Sequence, residues 1–124
     1  MTYTGRSLKR FEDPRLLRGL GSFVDDIKLP GMLHASVVRS PHAHARILSV
    51  DTSAAGGMPG VVAVLTGDGL AGAVGDLAAR PSPDLAGVNM PGHPALARDK
   101  VCYVGQPVAV VVAEDLYFAR DAVD

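Results

Sequence analysis

Four histidines are the residues of this sequence with the widest range of possible chemistry: His34, His42, His44 and His93. His42 and His44 lie two positions apart in a segment predicted to be extended, so their side chains should project from the same face. A closed metal site needs three or four ligands, usually with carboxylate or thiolate support. We interpret the histidines as surface or turn residues and predict no metal site; a small metal-binding protein is the alternative, which a zinc titration would test.

Two pairs of adjacent carboxylates are the next candidates. Glu12 and Asp13 form one pair, and Asp25 and Asp26 form the other. Neighbouring carboxylates can shift each other's pKa and act in acid–base chemistry. Neither pair has a nucleophile or a histidine beside it in the sequence. We therefore interpret Asp13 as a helix cap and Asp25 and Asp26 as turn residues.

Two arginines, Arg39 and Arg46, fall at the ends of predicted strands. An arginine can clamp a carboxylate or phosphate, although ion pairs and interface contacts are commoner roles. Gly19-Leu20-Gly21 is too short for a dinucleotide fingerprint and precedes no long helix. The sequence has no serine or cysteine triad. We predict no catalytic, cofactor-binding or metal-binding residue in this chain.

Composition excludes several classes of protein. The chain has 124 residues, of which 48% are hydrophobic and 20% charged, so it should fold as about one domain. Its net charge of −1 argues against nucleic-acid binding. We find neither a run of apolar residues long enough to span a membrane nor a secretory signal pattern, and we expect a cytoplasmic protein. The single cysteine, Cys102, is expected to be a small buried hydrophobe.

Short apolar runs rich in valine predict strands, and prolines and glycines separate them. Ser40-Pro41 should end the first strand, because proline cannot donate a ladder hydrogen bond. The last run is apolar on both faces, which predicts a central strand covered on both sides. The predicted strands are residues 33–39, 43–50, 61–65, 101–104 and 108–113.

The predicted helices are short. Residues 13–19 give one turn that ends at Gly19, and a second turn begins at Asp51-Thr52-Ser53 and is weakened by Gly56-Gly57. Thr66 should cap a single turn, and a helix should begin after Glu114-Asp115. Residues 71–100 should form a long loop between strands. The fold class predicted is α/β (α+β), with a small mixed sheet of four to five strands and short helices.

Three segments carry a family resemblance, in the same order and at plausible spacing: residues 10–19 (RFEDPRLLRG), 31–50 (GMLHASVVRSPHAHARILSV) and 103–109 (YVGQPVA). Together they resemble the start of the molybdopterin-binding large subunit of molybdenum hydroxylases. This family includes xanthine dehydrogenase, aldehyde oxidase and the aerobic carbon monoxide dehydrogenase. The resemblance implies an α/β hammerhead domain over residues 20–124, incomplete at its C-terminus, after an N-terminal arm of residues 1–19.

In this family the whole subunit holds a molybdenum–pterin cofactor, and partner subunits or domains carry two iron–sulfur clusters and FAD. The substrate, an aldehyde, a purine-like molecule or carbon monoxide, is hydroxylated with oxygen from water. The family's cofactor-binding and catalytic residues lie beyond this domain, so none is carried over to residues 1–124. The resemblance thus implies a scaffold domain that binds no cofactor alone and is inactive alone. Its partners would be the rest of the subunit and the iron–sulfur and FAD subunits. A stand-alone interaction module with the same fold is the alternative.

Overall fold

The computed structural model describes residues 3–77, 87 and 91–124. It divides into two compact units, Met1–Met32 and Leu33–Asp124, which are described separately. Much of the predicted loop between residues 71 and 100 lies outside the described residues. The predicted boundary between an arm and a domain at residues 19 and 20 stays a prediction.

The first unit is built from two short turns. Helix α1 (Asp13–Leu16) has Pro14 in its first turn, and a 3-10 turn spans Val24–Asp26. Gly19 takes the left-handed conformation expected of a helix stop, with φ of 69°. The predicted cap at Asp13 was wrong. The helix begins after Glu12 without a side-chain cap, and the Asp13 carboxylate pairs instead with Arg10 Nε at 3.2 Å.

The second unit contains a three-stranded antiparallel sheet. Its strands are β1 (His34–Arg39), β3 (Val61–Thr66) and β5 (Pro107–Ala113), with β5 in the centre. The apolar runs located all three strands to within one residue. β5 pairs with both neighbours over most of its length, which confirms its predicted central position. The predicted cover on both sides was wrong for the described residues, because only the face of Ala109, Val111 and Ala113 is buried.

Two further strands, β2 (Ala45–Arg46) and β4 (Lys100–Val101), form a separate antiparallel ribbon. The five strands therefore make two antiparallel sheets, whereas the sequence predicted one mixed sheet. β2 and β4 are also shorter than the predicted runs 43–50 and 101–104. The pairing continues only as far as Ile47, whose N–H donates to the carbonyl of Asp99 at 2.9 Å, and Leu48 is 93% exposed.

The core of the second unit is small. Helix α3 (Leu116–Asp121) packs against β1 and β5. Asp115 caps it, because its Oδ1 accepts hydrogen bonds from the N–H groups of Tyr117 and Phe118 at 2.6 and 3.0 Å. Ring atoms of Phe118 occupy the space that a Cβ on Gly60 would need. The buried hydrophobic residues are Leu96, Ala97, Val101, Ala109, Val111, Ala113 and Ala119.

Two one-turn elements of the second unit follow the sequence prediction. Helix α2 spans Ser53–Gly56 and stops where the glycine pair was expected to weaken it. Thr66 Oγ1 accepts a hydrogen bond from the N–H of Gly69 at 3.2 Å, as predicted for its capping role. No helix within the described ranges is long and apolar enough to cross a membrane.

Candidate functional site: the junction of two turns and its cavity

The turn after β1 is closed by the side chain of Ser40, which is only 8% exposed. Ser40 Oγ accepts a hydrogen bond from the N–H of His42 at 3.0 Å and lies 3.2 Å from the His42 carbonyl oxygen, to which it can donate. Such a bond across a proline fixes the direction in which the chain leaves the strand. Ser40 thus has a structural role that its sequence context only partly indicated.

Backbone hydrogen bonds join this turn to the turn before β5. The N–H of Ser40 donates to the carbonyl of Gln106 at 3.0 Å, and the N–H of Gly105 donates to the carbonyl of Ser40 at 2.8 Å. Arg39 Nη1 donates to the carbonyl of Gly105 at 2.9 Å. We call this set of contacts the junction. Arg39 was considered as a clamp for an anionic ligand, and the structure instead places it on a backbone oxygen.

Gln106 completes the junction from the inside. Its side chain is 7% exposed, and its Oε1 accepts a hydrogen bond from the N–H of Cys102 at 2.6 Å. An amide side chain can both donate and accept, and this one accepts. Gly105 has φ of 86°, a left-handed conformation that glycine adopts without strain and that bends the chain sharply.

Cys102 was predicted to be buried and is exposed. The prediction assumed a strand through residue 104, but β4 ends at Val101. Cys102 therefore belongs to the turn, and its backbone N–H bonds to Gln106 where a ladder bond was expected.

A cavity of about 680 Å³ lies beside the junction. Across it, the rings of His93 and Tyr103 are 6.4 Å apart between centroids and tilted by 48°. The Nε of Arg98 is buried and has no hydrogen-bond partner among the described residues. The residues that matter for its chemistry are Asp76, His93, Arg98, Lys100, Cys102 and Gln106.

The cavity mixes acidic and basic groups. Asp76 and Asp99 contribute two carboxylates, and Arg98 and Lys100 contribute two cations. The buried Nε of Arg98 is a donor suited to a carboxylate or a carbonyl oxygen. Gln106 Oε1, by contrast, is already used by Cys102. The arrangement is able to hold a polar group in place, and we assign it no reaction step.

The four histidines are dispersed. His34 is on β1 opposite Ala113, His42 and His44 are exposed in and after the turn, and His93 faces the cavity. In the described part of the chain no three His, Cys, Asp or Glu side chains are grouped closely enough to hold a metal ion.

The remaining polar candidates have local roles. Asp26 Oδ2 accepts a hydrogen bond from the N–H of Phe23 at 2.9 Å, as its interpretation as a turn residue predicted. Arg46 lies opposite Lys100 in the β2–β4 ribbon. These two cations and His44 line a second, smaller cavity of about 410 Å³.

Comparison with known proteins identifies the family of the chain. The family described as aldehyde oxidase and xanthine dehydrogenase, a/b hammerhead domain, matches residues 18–124. The chain belongs to this family. The match includes both segments of the junction, residues 31–50 and 103–109. The resemblance seen in the sequence, and with it the hammerhead fold class, is confirmed.

The relatives are much longer than this hammerhead chain. The carbon monoxide dehydrogenase large chain of Afipia carboxidovorans is 49% identical over 97% of this chain and 14% of its own length. The nicotinate dehydrogenase large molybdopterin subunit of Eubacterium barkeri is 33% identical over 97% of this chain and 26% of its own length. The structure of quinoline 2-oxidoreductase from Pseudomonas putida 86 matches with a TM-score of 0.84 and 41% identity, over 96% of this chain and 15% of that one.

Sequence reasoning missed the importance of three residues at the site. Among the described residues, Ser40 and Gln106 are the buried polar ones, and Arg98 carries the buried Nε. A usable signal existed for the first two, because each directly precedes a proline in a turn between strands. Arg98 gave no comparable signal, since its burial depends on chain segments that are distant in sequence.

Proposed function

We propose that this chain is the scaffold hammerhead domain of the large subunit of a molybdenum hydroxylase. The observation that carries the proposal is the extent of the match: 97% of the chain corresponds to 14% of the carbon monoxide dehydrogenase large chain. In that role the domain supplies a folded platform, and the catalytic residues belong to other parts of the subunit.

The junction supports a scaffold role. Its side-chain and backbone polar groups bond to one another: Ser40 to His42 and Gln106, Gln106 to Cys102, and Arg39 to Gly105. Polar groups that are satisfied internally fix a local structure, whereas a substrate site needs groups aimed at a ligand. The two segments that carry the resemblance therefore have a physical reason to occur together.

The described residues do not fit a molybdenum–pterin cofactor. The polar groups of the junction are occupied, Arg98 Nε is the one buried side-chain polar atom without a partner in the described ranges, and the carboxylates of Asp76 and Asp99 line the same cavity, where they would repel a phosphate. A pterin with its phosphate presents many hydrogen-bonding atoms and would need several converging partners. We therefore propose that the cofactor of the whole enzyme is held elsewhere in the large subunit, and that iron–sulfur clusters and FAD belong to partner subunits.

The proposed reaction of the whole enzyme is hydroxylation of an aldehyde, a purine-like molecule or carbon monoxide with oxygen from water. This chain would take part only as a component of the assembled subunit. The proposed location is the cytoplasm, which suits a chain whose one cysteine, Cys102, is free.

A chimera tests the proposal directly. Residues 1–124 would replace the matching stretch of the Afipia carboxidovorans carbon monoxide dehydrogenase large chain, which is then produced with its natural partner subunits. We expect an assembled enzyme with molybdenum content and carbon monoxide oxidation within roughly tenfold of the parent. A matched control carries Gly67→Val in the graft, which should prevent assembly because the new side chain would overlap backbone at Ala97.

The outcomes separate cleanly. Assembly of the chimera with failure of the control supports a scaffold domain of this family. An unassembled chimera beside an intact parent enzyme would contradict the proposal and favour a stand-alone interaction module.

A further inference from the structure

Among the described residues of the second unit, the three-stranded sheet has one covered face and one open face. Because directly paired residues in antiparallel strands point to the same side, the register places Val37, Val110 and Leu65 in one row. Ala35, Val112 and Ala63 form the adjacent row on the same side. We call these six residues the open face.

The opposite side of β5 is fully covered. Ala109, Val111 and Ala113 are 3%, 1% and 0% exposed, and Ala119 of α3 is 0% exposed. On the open face no residue is buried, and Leu65 is 36% exposed. The difference does not come from residue type, because all six residues of the open face are apolar.

The central strand β5 is apolar on both faces, a pattern typical of a strand that is covered on both sides. The open face carries no charged or polar side chain, which is typical of a permanent contact and unlike a transient one. The relatives offer an occupant, because this chain covers only 14% of the length of the carbon monoxide dehydrogenase large chain.

The small area of the open face indicates that its occupant is part of the same polypeptide. Three strands about 4.8 Å apart and six residues long present roughly 280 Å². A stable contact between separate proteins buries about 800 Å² on each partner. So small a face is insufficient for a dimer, but a tethered segment avoids most of the entropy cost of association.

Resting on the proposed function, we propose that the open face is the docking surface for an apolar layer supplied by the remainder of the large-subunit polypeptide. The layer is a helix stripe or strand face whose side chains meet Val110 and Val112 in the centre. With α3 packed on one face of the sheet and this layer on the other, both faces are buried.

Thiol labelling in the chimera described above tests this inference. Leu65→Cys puts a thiol on the open face, Leu48→Cys puts one at a position that is 93% exposed in this chain, and Cys102→Ser removes the natural exposed thiol. The rate at each position is read by mass spectrometry of its peptide and compared with the rate in urea. Because Leu65 is 36% exposed and Leu48 is 93% exposed, position 65 should be labelled somewhat more slowly than position 48 even without a covering layer. A covering layer should slow labelling there by at least about tenfold, and position 48 serves as the reference.

Each outcome of the labelling experiment either supports or overturns the inference. Protection at position 65 in the large chain alone, unchanged by dilution, supports the proposed layer. Protection that appears only after partner subunits bind, or that is lost on dilution, assigns the face to another chain and overturns the inference. An assembled chimera without protection overturns the inference while the proposed function stands. An unassembled chimera overturns the proposed function, and the layer with it.

Discussion

The first 32 residues and the rest of the chain are held together in different ways. In residues 3–32 no side chain is buried, and the hydrogen bonds join residues that are close in sequence. In the second unit, β1 and β3 pair with β5 across long stretches of chain, and Val111 is 1% exposed. Because burial and non-local pairing provide most of the stability of a small domain, the free energy of unfolding should depend mainly on the second unit.

The largest effect should come from Gly67→Val. Gly67 is buried, and a side chain there would overlap the carbonyl of Ala97, which is backbone and cannot move aside. We expect a loss of more than about 3 kcal/mol in urea unfolding. Gly75→Val is the control, because nothing lies within 4 Å of its Cβ position. Equal losses for the two variants would show that this contact is not tight.

Val111→Ala and Leu17→Ala compare the two units directly. Val111 is 1% exposed at the centre of the covered sheet face, whereas Leu17 is 87% exposed in the first unit. Truncating the buried valine should cost about 2 kcal/mol, and truncating the exposed leucine less than about 0.5 kcal/mol. Thermal unfolding of the two variants would measure the difference. A larger loss at Leu17 would reverse the comparison.

Gln106→Met tests the junction. Methionine has a similar shape but lacks the amide oxygen, so the part-buried hydrogen bond from the N–H of Cys102 would lose its acceptor. We expect a loss of about 1–2 kcal/mol in chemical unfolding. Arg39→Met removes an exposed hydrogen bond to Gly105 and should cost less than about 0.5 kcal/mol. If both losses are equally small, the junction adds little to the stability of the second unit.

Asp115→Ala tests the cap of α3. The Asp115 carboxylate accepts from two N–H groups in the first turn of the helix, and its removal should cost about 1 kcal/mol. Glu114→Ala changes a neighbouring carboxylate outside the cap and should be nearly neutral. Far-ultraviolet circular dichroism during thermal unfolding would distinguish the two variants.

Asp51 should give the smallest effect, one that depends on pH. Hydrogen bonds from the Oγ and N–H of Ser53 lower the pKa of Asp51 below its ordinary value of 3.8. Its stabilising contribution is therefore present above about pH 3.8 and is lost as the pH falls through the lowered pKa. We expect Asp51→Asn to be slightly less stable than the parent near pH 7 and equal to it at the acid limit. A difference that grows as the pH falls would contradict this sign.

The sequence predicted those parts of the fold that depend on local pattern. The apolar runs located β1, β3 and β5, and Gly19 and Gly105 marked positions where φ is positive. It failed where the answer depended on partners distant in the chain. Nothing local indicated that β2 would find only two residues of β4 to pair with.

The candidate site likewise combines a feature that depends on local sequence with one that depends on distant partners. The bend at Gly105 was predictable, because glycine favours positive φ. The direction of the Gln106 hydrogen bond was not, because an amide side chain can both donate and accept. Which occurs depends on the position of the Cys102 N–H, which is set by the end of β4.

The central position of β5 also determines when this sheet is able to form. β1 and β3 do not pair with each other, since each pairs only with β5, and the partner of His34 is Ala113. During synthesis both strands therefore emerge before the strand that pairs with them. Until β5 is complete, the valines of β1 and β3 remain without their sheet partner and are available for wrong pairing. The long interval before β5 is thus a period in which wrong pairing competes with correct folding of the nascent chain.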